Sequence, residues 1–219
     1  MSSATITTSA RLMNFTPQTE EQAMVRKVAV SSFLGNFIEW FDYASYSYFA
    51  TTIALVFFPT DNHTVAMLQT FGVFALSFIL RPIGALFWGS YGDKKGRKAA
   101  LAHSIMFMSG ASFLIGCLPS YSVIGVGAPI LLLLLRMVQG FSASGEYAGA
   151  ATFLGEYAPT SKRGIYCSLI PASTAIGLLA GSTLATLMTA NMNSSAMVGW
   201  GWRVPFLLAG PLGLIVLYI

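Results

Sequence analysis

Six apolar runs, at positions 28–58, 65–89, 99–118, 127–156, 165–190 and 203–219, follow one another with only short polar connectors between them. A helix needs about 20 apolar residues to cross a hydrocarbon core ~30 Å thick, so each run is a candidate span. Charge supports this: 9% of the 219 residues are charged and 55% are hydrophobic, where a soluble domain carries about 25% charged residues. A soluble enzyme domain, a disordered chain and a nucleic-acid reader are therefore excluded. The expected fold is all-α, with a polar tail at 1–27 and a six-helix transmembrane bundle at 28–219. The tail is rich in Ser and Thr and lacks the apolar stretch of a signal peptide.

Basic residues orient the bundle. Nine of them, Arg11, Arg26, Lys27, Lys94, Lys95, Arg97, Lys98, Lys162 and Arg163, fall in the tail and the second and fourth connectors, and only Arg203 touches the other side. The positive-inside rule then puts both termini of a multi-pass protein in the cytosol, and the plasma (inner) membrane is its expected location. It also accounts for the net charge of +4 without an anionic partner. Trp200 and Trp202 beside Arg203 suit an aromatic anchor at the outer interface. Cys117 and Cys167 lie near opposite faces, too far apart for a disulfide, and read as buried small hydrophobes. Gly145-x-x-x-Gly149 and Gly177-x-x-x-Gly181 predict close helix approach, and Pro82, Pro171, Pro205 and Pro211 predict kinks or helix starts. The last run stops at Ile219 without a polar flank, so the sequence is expected to be half of something larger.

Five charges remain inside the runs: Glu39, Asp42, Arg81, Arg136 and Glu146. An Arg or Asp at the centre of a span costs at least ~2.5–3.5 kcal/mol, so these side chains must face the bundle interior and pair, or line water. Glu39 and Asp42 are three residues apart, about 60° around a helix, with Asn36 and Tyr43 flanking them and Tyr46 a turn further on. Arg136, Gln139 and Glu146 fall within about 80° of arc. At ~1.5 Å per residue, Asp42 lies mid-span, Glu39, Arg81 and Glu146 about 6–7 Å to the cytosolic side, and Arg136 about 8 Å to the outer side. That arrangement predicts Arg81 between Glu39 and Glu146 and leaves Asp42 the freer carboxylate. Asp42, Glu39 and Glu146 are the candidates to carry protons; a static salt-bridge cluster is the alternative for Arg81 and Glu146. Nucleophile, phosphate-loop and metal-ligand motifs are missing, so neither an enzyme, a cofactor nor a metal is expected. His63 and His103 read as solvated surface residues.

The second connector, Gly89-Ser-Tyr-Gly-Asp93-Lys-Lys-Gly96-Arg97-Lys98, resembles the signature of the major facilitator superfamily, G-x-x-x-D-[RK]-x-G-R-[RK]. Four further stretches resemble its metabolite:proton symporter branch: Gly35-Asn36-x-x-Glu39-Trp40-Phe41-Asp42-Tyr43, Arg81-Pro82-x-Gly84, Arg136-x-x-Gln139-Gly140-x-x-x-Gly145-Glu146-Tyr147 and Gly199-Trp200-Gly201-Trp202-Arg203-x-Pro205-Phe206. Within that branch, Gly145-Glu146-Tyr147-x-Gly149-Ala150 and Glu156-Tyr157-x-Pro159-x-x-Lys162-Arg163-Gly164 are most similar to proline/glycine-betaine transporters.

The resemblance implies twelve spans in two halves, each of two inverted three-helix repeats, with substrate held near the midplane between halves. On that plan this sequence is expected to correspond to the first half. It implies import of a small zwitterionic osmolyte with protons by alternating access, with di- or tricarboxylates or shikimate as the alternative substrates. Trp40, Tyr43 and Tyr46 would offer aromatic faces to a quaternary ammonium, Arg81 or Arg136 would hold a carboxylate, and Asn36 and Gln139 would complete the substrate site. Gly89, Asp93, Gly96, Arg97 and Lys98 would form a gating loop that latches onto the second half. In that loop Asp93 is expected to cap a helix N-terminus and pair with Arg97, while Lys94, Lys95 and Lys98 meet the anionic leaflet. The implied partners are the substrate, protons, the lipid bilayer and the missing C-terminal six-helix half, with no nucleic acid. A six-helix bundle that does not transport and only associates with other membrane proteins is the competing reading.

Overall fold

The computed structural model describes residues 16–218, and their side chains except at 16–22, 24, 146–148, 153, 157 and 216–218. Among the described residues every regular element is helical: α1 (Thr16–Tyr48), α2 (Ala50–Phe57), α3 (His63–Ile79), α4 (Arg81–Lys95), α5 (Arg97–Cys117), α6 (Tyr121–Ile124), α7 (Gly127–Ala143), α8 (Glu146–Tyr157), α9 (Arg163–Asn191), α10 (Ser194–Ala196), a π-helical turn (Met197–Gly201) and α11 (Arg203–Tyr218). Four stretches, His63–Lys95, Arg97–Cys117, Arg163–Asn191 and Ser194–Ile215, are long and apolar enough to cross a membrane.

Local chemistry sets the joints. The α1–α2 break at Phe49 is slight, because Phe49 N–H still donates to Ser45 O at 2.9 Å and Ile53 N–H to Phe49 O at 2.8 Å. Asn62 caps α3, its side chain accepting from the N–H groups of Thr64 and Val65 at 3.0 and 3.3 Å. The α3–α4 joint falls at Leu80, just before Pro82, which has no N–H to give the helix ladder. Gly96, at φ +94°, makes the turn from α4 into α5 in a region of backbone space that side-chain-bearing residues avoid.

Packing is organised around α1, which contributes to all three apolar clusters: Val25, Val28 and Ala29 with Leu154 and Ile170; Ile38 with Ile105 and Met108; and Tyr46 with Leu132, Trp202 and Phe206. Glycines permit the closest crossings. A Cβ on Gly177 would lie 2.7 Å from Phe37 O, on Gly140 1.9 Å from Ser77 O, and on Gly84 2.1 Å from Phe141 O. Backbones therefore touch where α9 meets α1 and where α7 crosses α3 and α4. The outer surface is apolar, with Leu68 67% and Leu86 77% exposed.

Several expectations need correction. Helix α1 begins at Thr16 and Val25 is buried, so packing starts inside the stretch read as a polar tail. Trp202, which directly follows the π-helical turn, is fully buried against Phe57 and Phe206, and of the two only Trp200 is exposed. Cys117 is exposed and Cys167 half-buried; both are free. Gly149, unlike Gly145, faces open space. Asp93 lies within α4 and caps nothing, the N-cap of α5 being Gly96.

Candidate functional site

A buried polar file runs along α1 through Ser32, Asn36, Glu39, Asp42 and Ser45. Steps of three and four residues keep these side chains on one side of the helix over a rise of roughly 20 Å. Four neighbouring helices, α4, α5, α7 and α9, answer them with polar groups of their own.

At Asp42 the neighbours are α7 and α5. Arg136 Nη1 donates to Asp42 Oδ2 at 2.5 Å, while Ser112 Oγ and Gln139 Nε2 donate to Oδ1 at 3.0 and 3.1 Å. Gln139 Nε2 also reaches Ser112 Oγ at 2.5 Å. The Arg136 guanidinium lies 3.9 Å from the centroid of the Tyr46 ring, and Tyr46 OH donates to Thr70 O at 2.9 Å. Side-chain exposure is 1% for Arg136 and 4% for Asp42. Asp42 is therefore not the freer carboxylate that depth counting predicts: it is as buried as Glu39, and its arginine is the more enclosed of the two. Arg136 Nε and Nη2 and Gln139 Oε1 remain buried without partners.

One turn earlier, Arg81 Nη2 donates to both Glu39 Oε1 and Tyr43 OH. Its guanidinium lies 4.6 Å from the Phe78 ring centroid and 5.4 Å from that of Tyr43. Here the cation opens outward, with 30% of the Arg81 side chain exposed against 4% of Glu39. The expected Arg81–Glu39 contact is present; the side chain of Glu146, the other expected partner, lies outside the described residues.

The remaining candidates separate. Asn36 Nδ2 faces α9, with Ile170 O at 3.0 Å and the hydroxyls of Ser173 and Thr174 both at 2.8 Å, so it joins α1 to α9. Tyr46 has its two faces covered, by Arg136 and by the stacked ring of Phe74, and Tyr43 packs against Phe74 and Arg81. Neither has a free face for a quaternary ammonium. Trp40, half-buried and edge-on to Tyr43, keeps that possibility. Ser112 escaped the sequence reading because nothing marks one serine in an apolar run.

The signature loop lies apart from both pairs. Asp93 and Arg97 pair at 3.3 Å across the Gly96 turn. Gly89, Gly92, Arg97 and Lys98 line a cavity of about 150 Å³ between α1, α4, α5 and α8. No group of three or more potential metal ligands exists among the described residues.

Comparison with known proteins decides the family. Residues 27–219 match the model of the sugar (and other) transporter family. The chain belongs to that family, within the major facilitator superfamily. It is 43% identical over 199 residues to the glycine betaine/proline/ectoine/pipecolic acid transporter OusA of Dickeya dadantii, covering 91% of this chain and 40% of that protein. It is 42% identical to the proline/betaine transporter of Escherichia coli with the same coverage, and 43% identical to a putative proline/betaine transporter of Staphylococcus aureus over 89% of this chain and 42% of the relative. The chain thus spans about two-fifths of the length of these relatives.

Its fold matches the solved major facilitator superfamily proton:xylose symporter XylE with a TM-score of 0.76 at 18% identity, over 90% of this chain and 44% of that one. An inward-open structure of XylE from Escherichia coli gives 0.73 at 19% identity, covering 89% and 46%. The chain is an integral membrane protein of transporter fold, and its relatives are transporters rather than enzymes.

Proposed function

We propose that this chain forms the N-terminal six-helix half of a proton-coupled symporter that imports a small zwitterionic osmolyte, such as proline or glycine betaine, by alternating access. The observation that carries this reading is the polar file of α1, in which two carboxylates one turn apart are each paired with an arginine from a different helix. Such charges are costly in a bilayer and mark ion or substrate paths. Relatives at 42–43% identity are named for proline and betaine, which favours a zwitterion over the di- and tricarboxylate alternatives.

In this reading six spans are formed by α1–α2, α3–α4, α5, α7–α8, α9 and α11. Both termini lie in the cytosol of the inner membrane, and a second six-helix half closes the substrate site. Asp42 carries the coupled proton. Protonation removes the charge that holds Arg136 Nη1, leaving the guanidinium on Tyr46 and letting α1 and α7 shift against each other; deprotonation restores the pair. Ser112 and Gln139 hold the carboxylate during that exchange. Arg81 and Trp40, more open than Arg136 and Tyr46, take the substrate. Glu39 and Glu146 are the further proton candidates, and the loop from Gly89 to Lys98 gates against the second half.

The test is uptake in cells lacking their own osmolyte carriers, with this chain co-expressed with the C-terminal six helices of the Escherichia coli proline/betaine transporter. Accumulation of labelled glycine betaine or proline that requires both polypeptides and collapses with a protonophore is expected. Accumulation of a dicarboxylate instead, or none with either partner half or a second copy, contradicts the reading.

A further inference from the structure

We propose that the Arg81–Glu39 pair is the element that recognises a zwitterion: the substrate enters the ion pair, its carboxylate replacing Glu39 on Arg81 and its cationic nitrogen replacing Arg81 beside Glu39. This rests on the transport reading above and adds to it how the substrate's charge pattern is selected.

The two ion pairs of α1 differ in access. Arg136 is closed off at 1% exposure, whereas Arg81 keeps 30% of its side chain open. Arg81 sits at the joint of α3 and α4, midway along the 33-residue stretch His63–Lys95. An arginine open at that depth cannot face hydrocarbon, so its open side faces a water-filled cavity or a protein partner. Exposure at Arg81 therefore marks the substrate side of the bundle.

Its bonding suits exchange. Among the described residues Arg81 donates only through Nη2, to Glu39 and Tyr43, and its Nε is buried without a partner. A guanidinium carries five N–H donors in a fork that matches a carboxylate. The rings of Phe78 and Tyr43, at 4.6 and 5.4 Å from the guanidinium carbon, add cation–π attraction that does not depend on which anion it pairs with. Trp40 leaves an aromatic wall partly open next to Glu39 in sequence and edge-on to Tyr43.

Charge balance supplies the selectivity. A zwitterion breaks one internal pair and forms two, so no net charge is added beside a carboxylate that is 4% exposed. A carboxylate without a cationic nitrogen leaves Glu39 facing an anion, and a cation without a carboxylate leaves Arg81 unpaired. Each mismatch leaves an uncompensated charge, which discriminates more strongly than a lost apolar contact.

The co-expressed halves provide the test, with tert-butylacetate as probe, the carbon isostere of glycine betaine that keeps the carboxylate and lacks the cation. With the unaltered chain, tert-butylacetate competes with glycine betaine at least roughly tenfold less well than proline does. In Glu39→Gln that gap closes. The double variant Glu39→Gln/Arg81→Gln removes both charges together, leaves no lone charge to unfold the bundle, and lowers betaine uptake roughly tenfold or more at equal membrane abundance. Arg81→Lys keeps the charge without the fork and raises KM for betaine with kcat little changed. Retained uptake and selectivity in the double variant, an unchanged KM in Arg81→Lys, or equal competition by tert-butylacetate in the unaltered protein would each overturn the proposal while leaving the transport reading standing. Absence of zwitterion uptake by the unaltered halves contradicts the transport reading itself.

Discussion

Asp42 and Arg136, 94 positions apart in sequence, meet at 2.5 Å in the interior of the bundle with 4% and 1% of their side chains exposed. Removing one partner of such a buried pair leaves an uncompensated charge, at a cost of about 3–5 kcal/mol. Arg136→Leu is therefore expected to lower the thermal stability of the detergent-solubilised protein markedly. Asp42→Asn/Arg136→Gln should recover most of it, as read by fluorescence-detected size exclusion after heating. A double variant no more stable than Arg136→Leu would show that the pair's charges are compensated elsewhere.

The crossing of α7 over α3 depends on Gly140, where a Cβ would lie 1.9 Å from Ser77 O. Gly140→Ala should destabilise by about 1–3 kcal/mol through overpacking, because a backbone carbonyl cannot move aside. Gly110→Ala, on an open stretch of α5 with nothing within 4 Å, should be neutral or mildly stabilising. Thermal scans of the two variants side by side check this.

Arg203 secures the end of α5, its Nη1 donating to Gly116 O at 2.8 Å and Leu118 O at 2.5 Å. Arg203→Ala deprives those carbonyls of their partner and should cost about 1–3 kcal/mol. Hydrogen exchange should rise around residues 114–118 and not around 97–101, at the opposite end of α5. Uniform change along the helix would contradict the cap.

Topology is testable by labelling in a chain whose Cys117 and Cys167 are both replaced by Ser. Cysteines at Asp61 or Ser120 should react with an impermeant maleimide in intact cells, and one at Lys95 only after permeabilisation. Labelling of Lys95→Cys from outside would invert the assignment.

How far the sequence predicts this site depends on the kind of information each feature needs. The apolar runs and the face shared by Glu39, Asp42 and Tyr46 follow from helical period alone, and depth counting correctly brings Arg81 to Glu39. The same counting separates Arg136 from Asp42, because it assumes straight, upright helices whose ends coincide with their apolar runs. In the structure α1 starts at Thr16, well before its run, and an arginine side chain reaches several ångströms along the bundle. Trp202 and Ser112 are illegible for a related reason. Whether a tryptophan turns inward depends on the local winding of its helix and on its neighbours, here Phe57 and Phe206, and whether a serine meets a carboxylate depends on how two helices cross. Neither quantity is written in residue type or spacing.

The most direct test of the account is uptake driven by an imposed pH gradient, comparing unaltered and Asp42→Asn chains, each co-expressed with the C-terminal half, at equal membrane abundance. The account predicts that Asp42→Asn abolishes gradient-driven accumulation of glycine betaine while exchange counterflow at zero gradient persists, since binding survives and coupling is lost. Gradient-driven accumulation retained by Asp42→Asn would contradict it and move the proton site to Glu39 or Glu146.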